Sequence, residues 1–367
     1  MKFSIEKDPF LEALQKVQSI VQNRPAVPIL SNILIEATSE GLVILTATDQ
    51  DVTIRTQLEA EVITPGTLTL PAKRFFQICR LAPTHQIHIE VELGTVAQIT
   101  SGSSLNKLEG LSATEFPSLT TQVEGGEQIV LKQAILRDLL YKTSYASSTD
   151  ESRAILNGSL LSFREGKLTT VCTDGRRLAL VEYELEAELT TELDIVVPSK
   201  TVGELIKTLS NSEDGGEVKV VASATQAAFE FGKILLITKL VEGTYPNYKQ
   251  VIPSQCEHRI AIERDILVDA IMRTSVMVDE QSASVLLTIH ENKVELMTSS
   301  PEVGESHEVI PVKYEGDQIR VAFNPSFLLA PLKHLESDEV YLEISDELSP
   351  GVIKQIFRLF MSLCPFG

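Results

Sequence analysis

The sequence is poor in the features that would mark an enzyme, a metalloprotein or a membrane protein. Its four cysteines, Cys79, Cys172, Cys256 and Cys364, stand far apart with no CxxC pair, which suits reduced thiols better than a disulfide framework or a zinc site. Cys256 and His258 lie two apart, but two ligands are too few to hold a metal. The six histidines, His85, His88, His258, His290, His307 and His334, do not gather. The Walker phosphate loop, the zinc-binding HExxH helix and the GxSxG elbow are all missing, so no catalytic residue, cofactor or metal is expected. Long apolar runs are missing as well. Met1-Lys2-Phe3-Ser4-Ile5-Glu6-Lys7-Asp8-Pro9 alternates and carries charge, where a secretory signal needs an unbroken apolar stretch; a cytoplasmic protein with no membrane partner is expected. Cations are also scarce, 32 Lys and Arg against 51 Asp and Glu, for a formal charge of −19. Coating DNA by bulk electrostatics needs clustered Lys and Arg to displace counterions, so any nucleic-acid role must be local or topological. Read by itself, the acidity serves solubility.

What the chain does contain is ordinary globular material, 43% apolar and 23% charged over 367 residues. At about 150 residues per domain that length holds two or three domains, each able to build a core. The central stretch Thr173-Asp174-Gly175-Arg176-Arg177-Leu178-Ala179 places Asp-Gly between two strand-like runs, which reads as a two-residue hairpin turn with Gly accepting positive φ.

The chain also repeats itself. Pro71, Pro198 and Pro325 stand 127 and 127 residues apart, and each opens an amphipathic run of helical period, as suits proline in the first turn of a helix. Gly41–Asp49 matches Gly166–Asp174 125 residues later, and more loosely Asn292–Ser300 126 beyond that; these read as strands. Phe10 to Val21, Ile135 to Tyr145 and Ile266 to Val276 carry apolar residues three and four apart and read as helices. Polar joins at Thr120–Glu127 and Pro253–Glu257 follow the pairs Phe116-Pro117 and Tyr245-Pro246. Alternation such as Ile87-His88-Ile89-Glu90-Val91 predicts sheets with one covered face. The result is an α+β chain of three homologous domains, 1–121, 128–252 and 256–367, each a sheet with two helices on one face.

Several local signatures then resemble one family. They are Arg24-Pro25 with Pro28-Ile29-Leu30, Pro71-Ala72-Lys73-Arg74-Phe75-Phe76, Ile99-Thr100-Ser101-Gly102, Leu156-Asn157-Gly158, Thr173 to Ala179, Glu242-Gly243-Thr244-Tyr245-Pro246-Asn247-Tyr248 and Phe323-Asn324-Pro325. In order and spacing the chain resembles the bacterial DNA sliding clamp, the β subunit of DNA polymerase III, over nearly its whole length. The resemblance implies a head-to-tail homodimer, a ring of six clamp domains with sheets as outer wall and helices lining a hole for duplex DNA. Binding would be topological, with a negative outer wall repelling stray phosphate and a few inner cations facing the duplex. By position Arg24, Lys73, Arg153, Lys200 and Asn324 would face DNA.

Partners implied are the DNA polymerase III catalytic subunit, the clamp loader and other proteins carrying a clamp-binding motif of the Gln-Leu-x-Leu-Phe type. Their peptide would enter an apolar pocket walled by Leu156, Thr173, Gly175, Arg176, Arg177, Leu178, Pro246, Asn247, Tyr248 and Val251. Arg176 stands where other residue types are common in the family, which implies an altered partner preference. The end departs further: a Tyr-Val-Ile-Met-Pro-like strand is expected, and Phe357 to Gly367 does not supply it. A reading frame shifted by two bases, spelling Ser-Leu-Ile-Tyr-Val-Ile-Met-Pro-Phe-Arg with one choice of codons, is one reading; a native apolar end that docks as the last strand is the other. A repeat-built scaffold that never encircles DNA is the competing function.

Overall fold

The computed structural model describes the chain except residues 23–24, 119–121, 125, 186–191, 279–283, 356–358 and 364–367, with 359–363 described in backbone only. One order of elements runs through it three times: strand, helix, further strands, helix, three strands. The first pass is β1 (Lys2–Glu6), α1 (Lys7–Gln18), β2 (Asn32–Ala37), β3 (Leu42–Thr48), β4 (Val52–Glu59), β5 (Glu61–Thr64), β6 (Gly66–Pro71), α2 (Ala72–Arg80), β7 (Gln86–Glu90), β8 (Val96–Ser101) and β9 (Ser104–Glu109). The second is β10 (Glu127–Lys132), α3 (Gln133–Ser144), β11 (Gly158–Arg164), β12 (Lys167–Thr173), β13 (Arg177–Glu184), β14 (Leu193–Pro198), α4 (Ser199–Thr208), β15 (Glu217–Ala222), β16 (Gln226–Phe231) and β17 (Ile234–Lys239). The third is β18 (His258–Glu263), α5 (Arg264–Ser275), β19 (Val285–His290), β20 (Lys293–Ser300), β21 (Gly304–Pro311), β22 (Ile319–Phe323), α6 (Pro325–Leu332), β23 (Glu339–Ile344), β24 (Gly351–Lys354) and β25 (Leu359–Leu363). Only β5 breaks the pattern.

The helices form for the reason their spacing gives. Phe10, Ala13, Leu14 and Val17 bury one stripe of α1, and Leu267, Ala270, Ile271 and Thr274 bury the same stripe of α5, the i, i+3, i+4, i+7 pattern of a one-sided helix. Phe10 of α1 meets Phe75 of α2 edge to face, with ring centroids 5.8 Å apart. Full burial of each ring stabilises by about 1.5–3 kcal/mol. Helix starts differ from the expectation by two or three residues, and the prolines differ in role. Pro71 and Pro198 end strands, one residue before their helices, and only Pro325 is a first helical residue. The fixed φ of proline serves the strand-to-helix corner equally well. Burial pushes the Cys79 thiol up to about 12, which keeps it protonated.

Contacts divide the chain into two compact units, Met1–Leu136 with Glu204–Leu240, and Arg137–Gly203 with Val241–Gly367. The first holds a sheet β5-β1-β7-β8-β9 and an eight-stranded sheet β10-β15-β16-β17-β4-β3-β2-β6. The second holds an eight-stranded sheet β14-β11-β12-β13-β25-β24-β23-β18 and a sheet β21-β20-β19-β22. Both eight-stranded sheets are made of four strands from one repeat and four from the next, which is why the units do not coincide with the expected domains. Their joins are antiparallel and share one register: Val52↔Thr238 in the first becomes Arg177↔Leu363 in the second, 125 residues on along both strands.

Candidate functional site

The hairpin β12–β13 positions the site, and its tip lies one residue beyond the Asp-Gly reading. Thr173 pairs with Leu178, and the N–H of Asp174 donates to Arg177 O at 3.4 Å, leaving Gly175 and Arg176 as the two loop residues. Asp174 is needed at the flank. Its Oδ1 accepts the N–H groups of Arg176 and Arg177 at 2.9 and 3.0 Å, and its Oδ2 accepts Arg177 Nε at 3.1 Å, a closure that aspartate makes with backbone two and three residues on. Gly175 has φ +85°, as required at the first loop position of a primed hairpin turn.

Beside this turn lies a cleft of about 580 Å³. Leu156, Thr173, Gly175, Arg176, Arg177, Leu178, Pro246, Asn247, Tyr248 and Val251, the ten residues expected there, all line it. Leu156 and Leu178 are buried at its floor, over a cluster of Leu160, Val171, Leu180 and Val196 on which Tyr245, Tyr248 and Ile252 pack. Arg176, Pro246, Asn247 and Val251 are exposed on its rim. The Tyr245 hydroxyl donates to Val171 O at 3.4 Å. Burial pushes the phenols of Tyr245 and Tyr248 up, so both remain neutral donors.

Arg177 has a second task. Besides its ion pair with Asp174, both groups 18% exposed, its guanidinium lies 4.9 Å from the Phe327 ring centroid and 5.7 Å from that of Tyr145. So placed, it holds the hairpin against its surroundings as much as it lines the cleft.

The sequence reading missed Gln250, Ile252, Pro253, Ser345, Ser349 and Pro350. The first three adjoin Val251 and were within reach of it. The others come from the β23–β24 loop, which no sequence pattern marked. Asp346 shapes that loop: Oδ1 accepts Leu348 N at 2.8 Å and Ser349 N at 2.6 Å, and Oδ2 accepts the Ser349 hydroxyl at 2.6 Å. These hydrogen bonds hold the Asp346 carboxyl below its usual range. The unusual C-terminus does form a last strand: the β25 backbone pairs with β13 from Val181↔Leu359 to Arg177↔Leu363 and meets β24 on its other side.

The residues expected to face DNA are distributed. Arg24 lies outside the described residues. Lys73 is exposed on α2 and lines a cleft of about 690 Å³ with Lys16, Arg80 and Lys207, three cations the sequence reading did not single out. Lys16, Arg80 and Lys207 stand in the last turns of their helices, where cations also complement the helix dipole. Arg153 is exposed, donates Nε to Asp150 at 3.1 Å, and leans toward Gly175, its Nη1 3.2 Å from where a Cβ would stand there. Lys200 is exposed on α4. Asn324 caps α6, its Oδ1 accepting Ser326 N at 2.9 Å and the Ser326 hydroxyl at 2.6 Å, which leaves only its amide N–H groups for another partner. Among the described residues no cluster of His, Cys, Asp and Glu could hold a metal, and no helix is long and apolar enough to cross a membrane.

Comparison with known proteins follows the same three-part order. Models of the DNA polymerase III beta subunit match with the N-terminal domain over 1–120, the central domain over 130–247 and the C-terminal domain over 249–357. The chain is 33% identical to the beta sliding clamp of Chlamydia muridarum over 365 residues, covering 100% of this chain and 98% of that protein. It is 32% identical to that of Salmonella typhimurium over 351 residues, covering 95% and 94%. The fold matches the sliding clamp of Bacillus subtilis with a TM-score of 0.95 at 29% identity, covering 100% and 99% of the two chains. It matches the Pseudomonas aeruginosa clamp bound to griselimycin with a TM-score of 0.94 at 28% identity, covering 100% and 99%.

Proposed function

This chain belongs to the DNA polymerase III beta subunit family, and on that premise we propose that it works as a DNA sliding clamp. It is a processivity factor: a homodimer ring around duplex DNA that tethers the polymerase III catalytic subunit and, in turn, the clamp loader and other proteins bearing a clamp-binding motif. It acts in the cytoplasm and catalyses nothing itself. Its three clamp domains are 1–121, 128–252 and 256–367. Lys73, Arg153, Lys200, Asn324 and Arg24 contribute local contacts to the duplex, while the net charge of −19 keeps the remaining surface from holding DNA. The cleft beside Gly175 takes the partners' peptide.

The observation that carries this reading is the accounting of sheet edges. Two joins, β4 to β17 and β13 to β25, complete two sheets. In the same scheme β21 occupies the place of β4 and β13, and β9 the place of β17 and β25, yet each is the last strand of its sheet. An unpaired edge is a template for another chain, and a second copy offers the matching edge twice, once at each end. Carried through the repeat, Thr56 and Val181 correspond to Glu308, and Ile234 and Leu359 to Ser104. The seam then sets Leu105 opposite the partner's His307 and Lys107 opposite the partner's Glu305. All four are exposed, as opposite residues sharing one face of a sheet should be, and the second pair is of opposite charge.

The test is a disulfide trap. Leu105→Cys with His307→Cys should yield a covalent dimer on mild oxidation. Leu105→Cys with Glu305→Cys, slipped by two residues, should yield far less. A monomer at every concentration, or trapping that ignores the register, overturns the ring.

A further inference from the structure

The second and third repeats meet through a small stack of rings. His334, in the turn that follows α6, packs on two tyrosines from the end of α3, its ring centroid 4.5 Å from that of Tyr141 and 4.7 Å from that of Tyr145, tilted by 45° and 31°. Its Nδ1–H donates to Ala330 O at 2.7 Å, which anchors the ring to α6. Tyr145 is shared. The Arg177 guanidinium lies 5.7 Å from its centroid and 4.9 Å from that of Phe327, a residue of α6. Arg177 also lines the cleft and pairs with the Asp174 that shapes the turn. A path of direct contacts thus runs from His334, which is not among the cleft walls, through one ring to a residue that is.

Charge decides what a proton does there. From α3 the His334 ring faces two phenols, and the charges beside them, Lys142 and Asp138, are paired with each other at 2.6 Å. On its own element the ring feels Lys333, and Arg177 shares the Tyr145 face. Among the described residues no carboxylate pairs with His334, and burial depresses its pKa. A neutral ring packs on both tyrosines. A protonated ring sets a second cation on the aromatic face that Arg177 uses, in a half-buried place with Lys333 beside it, where like charges repel. We propose that His334 is a positioning residue for peptide binding: its neutral ring holds Tyr145, and through it Arg177, in the arrangement that receives the partners' peptide, and protonation loosens that arrangement. Peptide affinity is then full above about pH 6.5, where the ring is neutral, and is lost as pH falls through the value of the folded protein. This inference rests on the cleft being the peptide site.

The experiment is calorimetric titration of the full-length protein with acetylated, amidated Gln-Leu-Ser-Leu-Phe, which carries no group that titrates. Between about pH 7.5 and 5 the dissociation constant should rise about threefold to tenfold, with the melting temperature at each pH confirming that the protein is folded. Two variants separate the proton from the packing: His334→Gln keeps a donor for Ala330 O, and His334→Phe keeps a ring on the tyrosines. Whatever their affinity at pH 7.5, both should bind with a constant that no longer depends on pH. Linkage is reciprocal, so saturating peptide should move the NMR titration of the His334 ring to lower pH. A flat profile in the wild-type protein, a slope that survives in either folded variant, or a ring titration indifferent to peptide overturns the inference while leaving the cleft as the site. Failure of the peptide to bind wild-type protein at pH 7.5 overturns the cleft itself, and the inference with it.

Discussion

Gln50 in the β3–β4 turn holds the place that Gly175 holds in the β12–β13 turn. Both N–H groups donate to the hydroxyl of a threonine two residues back at 3.1 Å, Thr48 and Thr173, and both backbones are left-handed, at φ +80° and +85°. The flanking aspartate repeats as well: Asp49 Oδ1 accepts Asp51 N at 3.0 Å and Val52 N at 2.8 Å, as Asp174 does in its own turn. The repeat thus extends to single hydrogen bonds. A left-handed non-glycine residue costs about 1–2 kcal/mol, less what glycine loses in chain entropy. Gln50→Gly should therefore stabilise the protein by about 0.5–1 kcal/mol, read as a higher denaturation midpoint, and Gly175→Ala should destabilise it by about 1 kcal/mol.

Removing the Asp174 carboxylate should cost more. Asp174→Ala leaves two backbone N–H groups and the Arg177 guanidinium without their acceptor, a loss of about 1–3 kcal/mol. Because the same contacts shape the lip of the cleft, peptide affinity should fall with stability. Urea denaturation and peptide titration on the same preparation check both.

Stability should also depend on pH through His334. Its ring lies 4.5 Å from that of Tyr141 and 4.7 Å from that of Tyr145, its Nδ1–H donates to Ala330 O at 2.7 Å, and burial depresses its pKa. The unfolded chain takes up a proton near 6.5 while the folded protein resists it. The stability contributed by the neutral ring is thus present above about pH 6.5 and is lost as pH falls toward the folded value. Melting curves between pH 7.5 and 5 should show the loss, and His334→Gln should flatten that part of the profile.

The last strand should matter whatever its side chains. The β25 backbone fills the space between β13 and β24, so ending the chain at Gln355 would bare two strand edges. Such edges invite aggregation. The shortened protein should melt lower and aggregate on warming, as light scattering would show.

Much of this was legible in the sequence because it depends on short-range pattern. Equal spacing of Pro71, Pro198 and Pro325 disclosed the repeat, and the Asp-Gly pair disclosed the hairpin, whereas the cleft walls from Thr173 to Leu178 and from Pro246 to Val251 came from the family resemblance. What escaped depends on chain meeting chain over long separations. Nothing around Ser345 or Pro350 signals that their loop completes the cleft, and nothing in Leu359 to Leu363 names β13 as its neighbour. The turn slipped by one residue because Asp-Gly also fits the tip by propensity; the hydrogen bonds of Asp174 decide for the flank. Arg153, placed toward DNA by the resemblance, also leans over the backbone of Gly175, a proximity that spacing cannot express.

The central claim is that this protein holds DNA by encircling it, and retention on closed DNA tests it most directly. Labelled protein, loaded by a clamp loader onto nicked circular duplex and separated from free protein by gel filtration, should stay with the circle in moderate salt. It should be released when one restriction cut makes the circle linear. Retention that is unchanged by cutting, or loss from the circle at the same rate as from linear DNA, would contradict it.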